Sequence, residues 1–267
     1  MIGLKPHTSI EAIGPGFGNF IAGHIDLAFR RIMPGPGVQI EPGFIRLVTG
    51  EPHPFGNFAC ICEPVNEDIT ADAIESLLGC GAPAAVFLTG PVPPEVNARL
   101  EGAGFQRHGG MPCMGVEIDS IPAAALPDGF TFERVCRAEQ RDEWADVFAR
   151  GYELPGRVGA AFAGGIDGDT RDDAPVQYFW VLNGAEPVAT SLVYLDRGVA
   201  GIYGVATLRS ARGKGLGAYA TTQPLRIARE LGYRVGILQA SEDGHPVYRR
   251  IGFNDFGEVP LYVRMPG

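Results

Sequence analysis

Several things are missing from this 267-residue chain, and each absence excludes a class of protein. No uninterrupted apolar run approaches the roughly 20 residues that a membrane-spanning helix needs, so no membrane partner is expected. The start, MIGLKPHTSIEAIG, has no basic segment leading into an apolar one, and a secretory leader is not expected there. The five cysteines, Cys60, Cys62, Cys80, Cys113 and Cys136, are odd in number and lack a C-x-x-C spacing. They suit reduced thiols in a cytoplasmic protein. Cys60 and Cys62 would share one face of a strand, but further ligands are lacking nearby; packing is expected there, and no metal. An excess of positive charge is also absent. A net charge of -9 speaks against a nucleic-acid partner held through phosphates.

What is present describes a folded chain with two unlike halves. An apolar fraction of 45% supplies a core. The first 120 residues carry a net charge of -7 and the remainder -2, which favours a boundary between them. The stretch Asp119 to Phe130, DSIPAAALPDGF, reads as the linker. Beyond it, FTFERV predicts a strand, and AEQRDEWADVFARGY an amphipathic helix burying Trp144, Val147 and Phe148. A short helix is expected near 157–163. VQYFWVLNG, PVATSLVYLD and GVAGIYGVA then predict three strands, with turns at Asn183-Gly184 and Asp196-Arg197-Gly198. A helix over 217–231, a strand RVGILQA, a short helix near 246–251 and a last strand EVPLYVR complete the chain. Pro224 should kink or split the long helix.

The chain also repeats itself. Residues 74–119 and 228–264 both run helix, Leu-Gly, apolar strand, Pro-initiated helix, Gly-Phe, closing strand, with Gly104-Phe105 matching Gly252-Phe253. Each glycine frees the backbone behind a helix, and each phenylalanine anchors the start of the closing strand. Two copies of one module are therefore expected.

Between the third of those strands and the long helix lies RSARGKGLGAYAT, Arg209 to Thr221. A P-loop reading fails, because Gly213-Lys214 is succeeded by Gly215 and not by a hydroxyl residue. The dinucleotide fingerprint matches on paper from Gly213 to Ala218, but Thr207 to Arg212 separate it from the strand. The pattern Arg212-x-x-Gly215-x-Gly217, placed after an apolar strand and opening a helix, resembles the Q/R-x-x-G-x-G/A signature of the GNAT superfamily of acyl-CoA-dependent N-acetyltransferases. Main-chain N–H groups at a helix start, with glycines to let an anion approach, suit a diphosphate on physical grounds too. The resemblance covers residues 130–267.

That resemblance implies an α/β (α+β) fold with a mixed central sheet, built as two tandem GNAT-like modules, residues 1–120 degenerate and 128–267 catalytic. It implies acetyl-CoA as co-substrate and, as acceptor, a small-molecule amine or an exposed amino group attacked directly in a ternary complex. Val205, Ala206 and Thr207 would contact pantetheine. Arg212, Gly213, Lys214, Gly215, Leu216, Gly217 and Ala218 would hold the diphosphate, Arg212 and Lys214 supplying charge. Tyr248, four residues before Gly252-Phe253, would protonate the departing thiolate. Ser241 stands where asparagine is frequent, leaving a polar contact, and Gly244 where alanine is usual. For the base, a partly desolvated Glu153 competes with Tyr203. The first copy has CEPVNEDIT in place of a glycine loop. Its Glu63, Glu67 and Asp68 would repel a diphosphate, with Thr70 expected to cap the helix. That copy would wall the acceptor cleft as half of an internal pseudo-dimer. A non-catalytic acyl-CoA sensor is the alternative.

Overall fold

The structure, a computed structural model, describes residues 5–266; Met1–Leu4, which open the segment considered as a leader, lie outside it. The first half runs α1 (Phe17–Ile32), β1 (Val38–Glu41), β2 (Phe44–Val48), β3 (Asn57–Ile61), α2 (Glu67–Gly79), β4 (Ala84–Leu88), α3 (Pro94–Gly102) and β5 (Gln106–Glu117). The second runs β6 (Phe130–Val135), α4 (Arg141–Tyr152), α5 (Gly156–Phe162), β7 (Val176–Asn183), β8 (Glu186–Asp196), β9 (Val199–Thr207), α6 (Leu216–Glu230), β10 (Val235–Gln239), α7 (His245–Arg250) and β11 (Asn254–Arg264). Among the described residues, no helix is long and apolar enough to cross a membrane.

All the strands form one mixed sheet in the order β1-β2-β3-β4-β11-β5-β10-β9-β8-β7-β6. The pairs β3–β4 and β9–β10 are parallel and the rest antiparallel. The anticipated α/β fold with a mixed sheet is therefore present. Local chemistry sets the hairpins: Arg197 and Gly198 both take positive φ between the paired Asp196 and Val199, as a two-residue primed turn requires. The other turn is Gly184-Ala185, one residue later than expected, since Asn183 still pairs with Glu186.

The repeated Gly-Phe corners have matching geometry. Gly104 and Gly252 sit at φ 84° and 104°, and Phe105 and Phe253 are fully buried. The strands that leave these corners have changed places. β11 lies against β4 of the first half, while β5 fills the position beside β10 in the second. Met114, Val116 and Ile118 at the end of the first half consequently belong to the core around Phe253, and Tyr262 of β11 to the core around Phe105. β5 and β11 run antiparallel along each other from Gln106–Val263 to Gly115–Asn254, as a pseudo-twofold relation between the halves demands.

Two local expectations are corrected. Thr70 does not cap α2, because Asn66 accepts from the Ile69 N–H at 3.0 Å and places Thr70 inside the helix, its hydroxyl bonded to the Asn66 carbonyl. Pro224 does not split α6, which runs unbroken from Leu216 to Glu230 with the ring buried. A helix held by packing at such a position tolerates one missing donor.

Exchange of closing strands makes each half's core depend on the other. The full chain is expected to unfold in a single calorimetric transition, and a fragment lacking residues 1–120, which leaves β10 without β5 and β11 without either neighbour, to lose the native circular-dichroism signature. Two resolved transitions, or a folded fragment, would contradict this.

Candidate functional site

The site begins where two strands stop holding each other. β9 and β10 pair only at Ala200–Gly236 and Gly201–Ile237, after which they part. The register of β9 against β8 also slips between Thr190 and Leu192. Gly204, at φ 58°, accommodates that bulge, and the Thr190 hydroxyl donates to its carbonyl at 2.9 Å. Beyond Gly201 the edge of β9 that faces β10 has no ladder partner. The equivalent pair in the first half, β3–β4, stays zipped over four positions, Phe58–Ala85 to Ile61–Leu88. Of the two parallel pairs, the second half's alone opens.

The glycine loop closes one end of this gap. A short turn, Arg209–Ala211, leads through Arg212 into Gly213 and Gly215, at φ 80° and 79°, and Leu216 opens α6. Space in front of both glycines is empty, so glycine is required there for its backbone angle and not for room. The N-terminus of α6 has no side-chain cap and no acidic residue in its first turn. Its first N–H groups therefore face outward without a side-chain acceptor. In α2 the corresponding groups meet the Asn66 side chain, with Glu67 and Asp68 alongside.

Loop, gap and α7 together bound a cavity of about 980 Å³. Of the residues singled out from sequence, Val205, Ala206, Thr207, Arg212, Gly213, Gly215, Leu216, Gly217, Ala218, Ser241, Tyr248 and Glu153 line it. Lys214 does not. Its ammonium lies 5.5 Å from the centre of the Phe130 ring, a cation–π contact outside the cavity wall. Arg212 lines the cavity, but its guanidinium donates to the carbonyls of Gly151 at 2.8 Å and Thr207 at 3.2 Å. It ties the ends of α4 and β9 together, which sets the shape of the loop as well as its charge.

Tyr248 is buried against α6. Burial, reinforced by nearby Tyr152, pushes its phenol far above the ordinary value, with the Thr221 hydroxyl opposing. The phenol is thus a weaker acid than the sequence suggested, and one that stays protonated. Gly244 has a steric reason: a Cβ there would stand 2.8 Å from the Tyr248 ring and 3.0 Å from the Ser241 hydroxyl oxygen, which accepts from the Gly244 N–H. The partial desolvation expected for Glu153 is absent. It ends α4 at φ 59°, its side chain is 62% exposed, and it pairs with Arg209 at 2.9 Å. Tyr203 points away from the cavity into the core and bonds to His24. Sequence reasoning missed Tyr152, Arg209 and Arg250 on the cavity wall. Their nearness in the sequence to Glu153, the glycine loop and Tyr248 was the available signal.

The uncapped helix start and the split sheet thus bound one cavity. Residues 140–253 match the sequence model of the Acetyltransferase (GNAT) family, and this part of the chain is a GNAT acetyltransferase domain. The whole chain shares its fold with a GCN5-related N-acetyltransferase from Kribbella flavida (21% identity, 94% of this chain and 96% of that one, TM-score 0.61). It also resembles one from Sphaerobacter thermophilus (13%, 92% and 93%, 0.58) and a tandem GNAT protein from the clavulanic acid biosynthesis pathway (15%, 98% and 98%, 0.53). At these identities the likeness is one of fold. The comparison with curated proteins gives no match.

Gly215→Ala forces an alanine into the left-handed region, a cost of about 1–2 kcal/mol. In a chain of this size each kcal/mol lowers the melting temperature by roughly 2–4 °C. An unchanged melting temperature would contradict the loop geometry.

Proposed function

We propose that the protein is an acetyl-CoA-dependent N-acetyltransferase that passes an acetyl group to an amine by direct attack in a ternary complex. The observation that carries this reading is the uncapped start of α6 opening onto a cavity that reaches Tyr248 across the β9–β10 gap. The residues present fit the co-substrate: free N–H groups and empty space at Gly213 and Gly215 suit a diphosphate, and the unpaired edge of β9 at Val205–Thr207 suits an extended amide-bearing arm. When bound, acetyl-CoA supplies the activated acyl carbon.

The chain's own groups divide the work. Leu216, Gly217 and Ala218 offer main-chain N–H groups to the anion, with Arg212 holding the loop in place and Ser241 adding a polar contact on the far wall. An N–H of the bulged segment of β9 is available to receive the carbonyl oxygen as it gains charge. Tyr248 holds the proton that the departing sulfur needs. Lys214 adds charge near the loop without lining the cavity. Glu153, on the cavity wall and paired with Arg209, meets the acceptor by charge.

The first half, residues 1–120, we read as a module that keeps the packing and has no cofactor site, since its strands stay zipped and its helix start is self-capped. Together with residues 128–267 it makes an internal pseudo-dimer. The acceptor is a small amine or an exposed amino group. A cytoplasmic setting fits the free cysteines. A non-catalytic acyl-CoA sensor would use the same cleft, but the family match does not favour it. A thiol-release assay with acetyl-CoA across a panel of amines tests the activity; acetyl-CoA binding with no acceptor-dependent release would favour the sensor.

Tyr248→Phe should leave acetyl-CoA affinity unchanged and lower turnover by roughly tenfold or more. Because the raised phenol keeps its proton below its elevated value, turnover in the wild type should show no falling limb from this group up to about pH 10. Unchanged turnover in the variant, or a limb below that pH that the variant abolishes, would refute the assignment. Glu153→Gln should raise KM for a cationic acceptor severalfold with little change in kcat, in the manner of lost uniform binding. A large fall in kcat alone would restore it as the base.

A further inference from the structure

Coenzyme A carries a diphosphate and, on the ribose, a separate 3′-phosphate. The start of α6 serves the first alone. The cationic side chains at the glycine loop and on the cavity wall are Arg209, Arg212, Lys214 and Arg250, and all but the last are engaged elsewhere. Arg212 donates to the carbonyls of Gly151 and Thr207, Arg209 pairs with Glu153 at 2.9 Å, and Lys214 stands over the Phe130 ring outside the wall. Arg250 is exposed on the wall and, among the described residues, has no hydrogen-bond or ion-pair partner. Its chain neighbour Arg249 does not line the cavity; it meets Asp255 at 3.5 Å and the Asn254 carboxamide oxygen at 3.4 Å.

Helix α7 gives this guanidinium a setting. Val247, Arg250 and Ile251 are spaced i, i+3 and i+4, so they share one helix face, and all of them line the cavity that the start of α6 opens onto. An apolar surface next to a cation suits a nucleoside that bears a phosphate. The wall's carboxylates Glu242 and Asp243 precede α7, at its other end, with roughly 8 Å of helix axis between His245 and Arg250. Repulsion from them directs an anion to the Arg250 end. A helix C-terminus favours a cation in any case, but Arg249 already answers that preference away from the cavity. The repeat supplies a contrast. Arg250 stands two residues before Gly252, and the residue two before Gly104 is Gly102, so the half whose helix start is capped has no side chain at this position.

We propose that Arg250 binds the ribose 3′-phosphate of coenzyme A and makes the protein discriminate against thioesters that lack it. The inference rests on the reading that this cavity takes acetyl-CoA. Recognition of the anionic end is then divided: main-chain N–H groups of α6 hold the diphosphate, and a side chain of α7 holds the terminal phosphate. A guanidinium suits the second task, because its planar fork can donate two parallel hydrogen bonds to phosphate oxygens. The contact is remote from the reacting carbon, so it sets which donor is accepted and takes no part in moving the acetyl group.

The test titrates coenzyme A and 3′-dephospho-coenzyme A, which share the diphosphate and the pantetheine arm, into the full-length wild type, Arg250→Gln and Arg249→Gln proteins by calorimetry. The wild type should bind coenzyme A roughly tenfold or more tighter than the dephospho form, within the range for a hydrogen bond between charged groups. Arg250→Gln should bring the affinity for coenzyme A down to that for the dephospho form and leave the latter within about twofold of wild type. Arg249→Gln removes the same charge one position away and should keep the full discrimination. Should Arg250→Gln fail to fold, the wild-type comparison of the two ligands still decides whether the 3′-phosphate is bound. Equal wild-type affinity for both ligands, discrimination retained in Arg250→Gln, a parallel loss for both ligands in that variant, or an equal loss of discrimination in Arg249→Gln would overturn the proposal. Failure of the wild-type chain to bind either ligand would instead overturn the acetyl-CoA reading beneath it.

Discussion

The parting of β9 from β10 after two hydrogen-bonded pairs is the constraint on which the rest of the site depends. A parallel pair that stayed zipped, as β3 and β4 do, would leave no unpaired edge at Val205–Thr207 and no cavity between the glycine loop and α7. The opening has a cost in backbone hydrogen bonds, and the structure compensates on both sides of it. On one side the Gly204 bulge and its bond from Thr190 hold β9 against β8; on the other, β5 supplies β10 with five pairs from Val235–Glu117 to Gln239–Cys113. The strand that keeps the second half's sheet together is thus contributed by the first half.

This arrangement makes the first half a structural partner of the second. The first half supplies β5 to the second core, accepts β11 into its own, and lays α1 across β5, β10 and β11. The two helix starts differ in what they offer an anion: α2 meets its own Asn66 cap and two carboxylates, where α6 has neither a side-chain cap nor an acidic residue in its first turn. One helix start is closed by its sequence and the other is left open by it. The contrast lies in a few residues, with the fold otherwise shared.

Much of the second half could be read in the sequence because its signals are local. The apolar run VQYFWVLNG, the Arg197-Gly198 turn, the Gly252-Phe253 corner and the glycine loop each depend on a few neighbouring residues, and the cavity gathers nearly all the site residues that such motifs nominated. What was missed is non-local. A closing strand behind Gly104-Phe105 or Gly252-Phe253 has the same pattern whichever neighbour it joins, so the exchange of β5 and β11 leaves no mark on the sequence. The reach of a long side chain is equally hidden, which is why Lys214 turned out to face Phe130 and Arg212 to clasp two carbonyls. Helix α1 was legible in principle. Phe17, Ile21, Ile25, Ala28 and Ile32 fall on one helical face, but its two glycines obscured the pattern, and with it His24.

Binding of the co-substrate's diphosphate by bare N–H groups at the start of α6 is the central claim. Gly217→Asp tests it most directly, because a Cβ at this position meets only the Thr207 hydroxyl at 3.7 Å, an ordinary contact. A carboxylate in the first turn of a helix is also favourable to the helix itself. Calorimetric titration of acetyl-CoA into this variant should show binding weakened by roughly a hundredfold or more, about 3 kcal/mol, while the melting temperature holds or rises. Wild-type affinity in a folded Gly217→Asp protein would contradict the account.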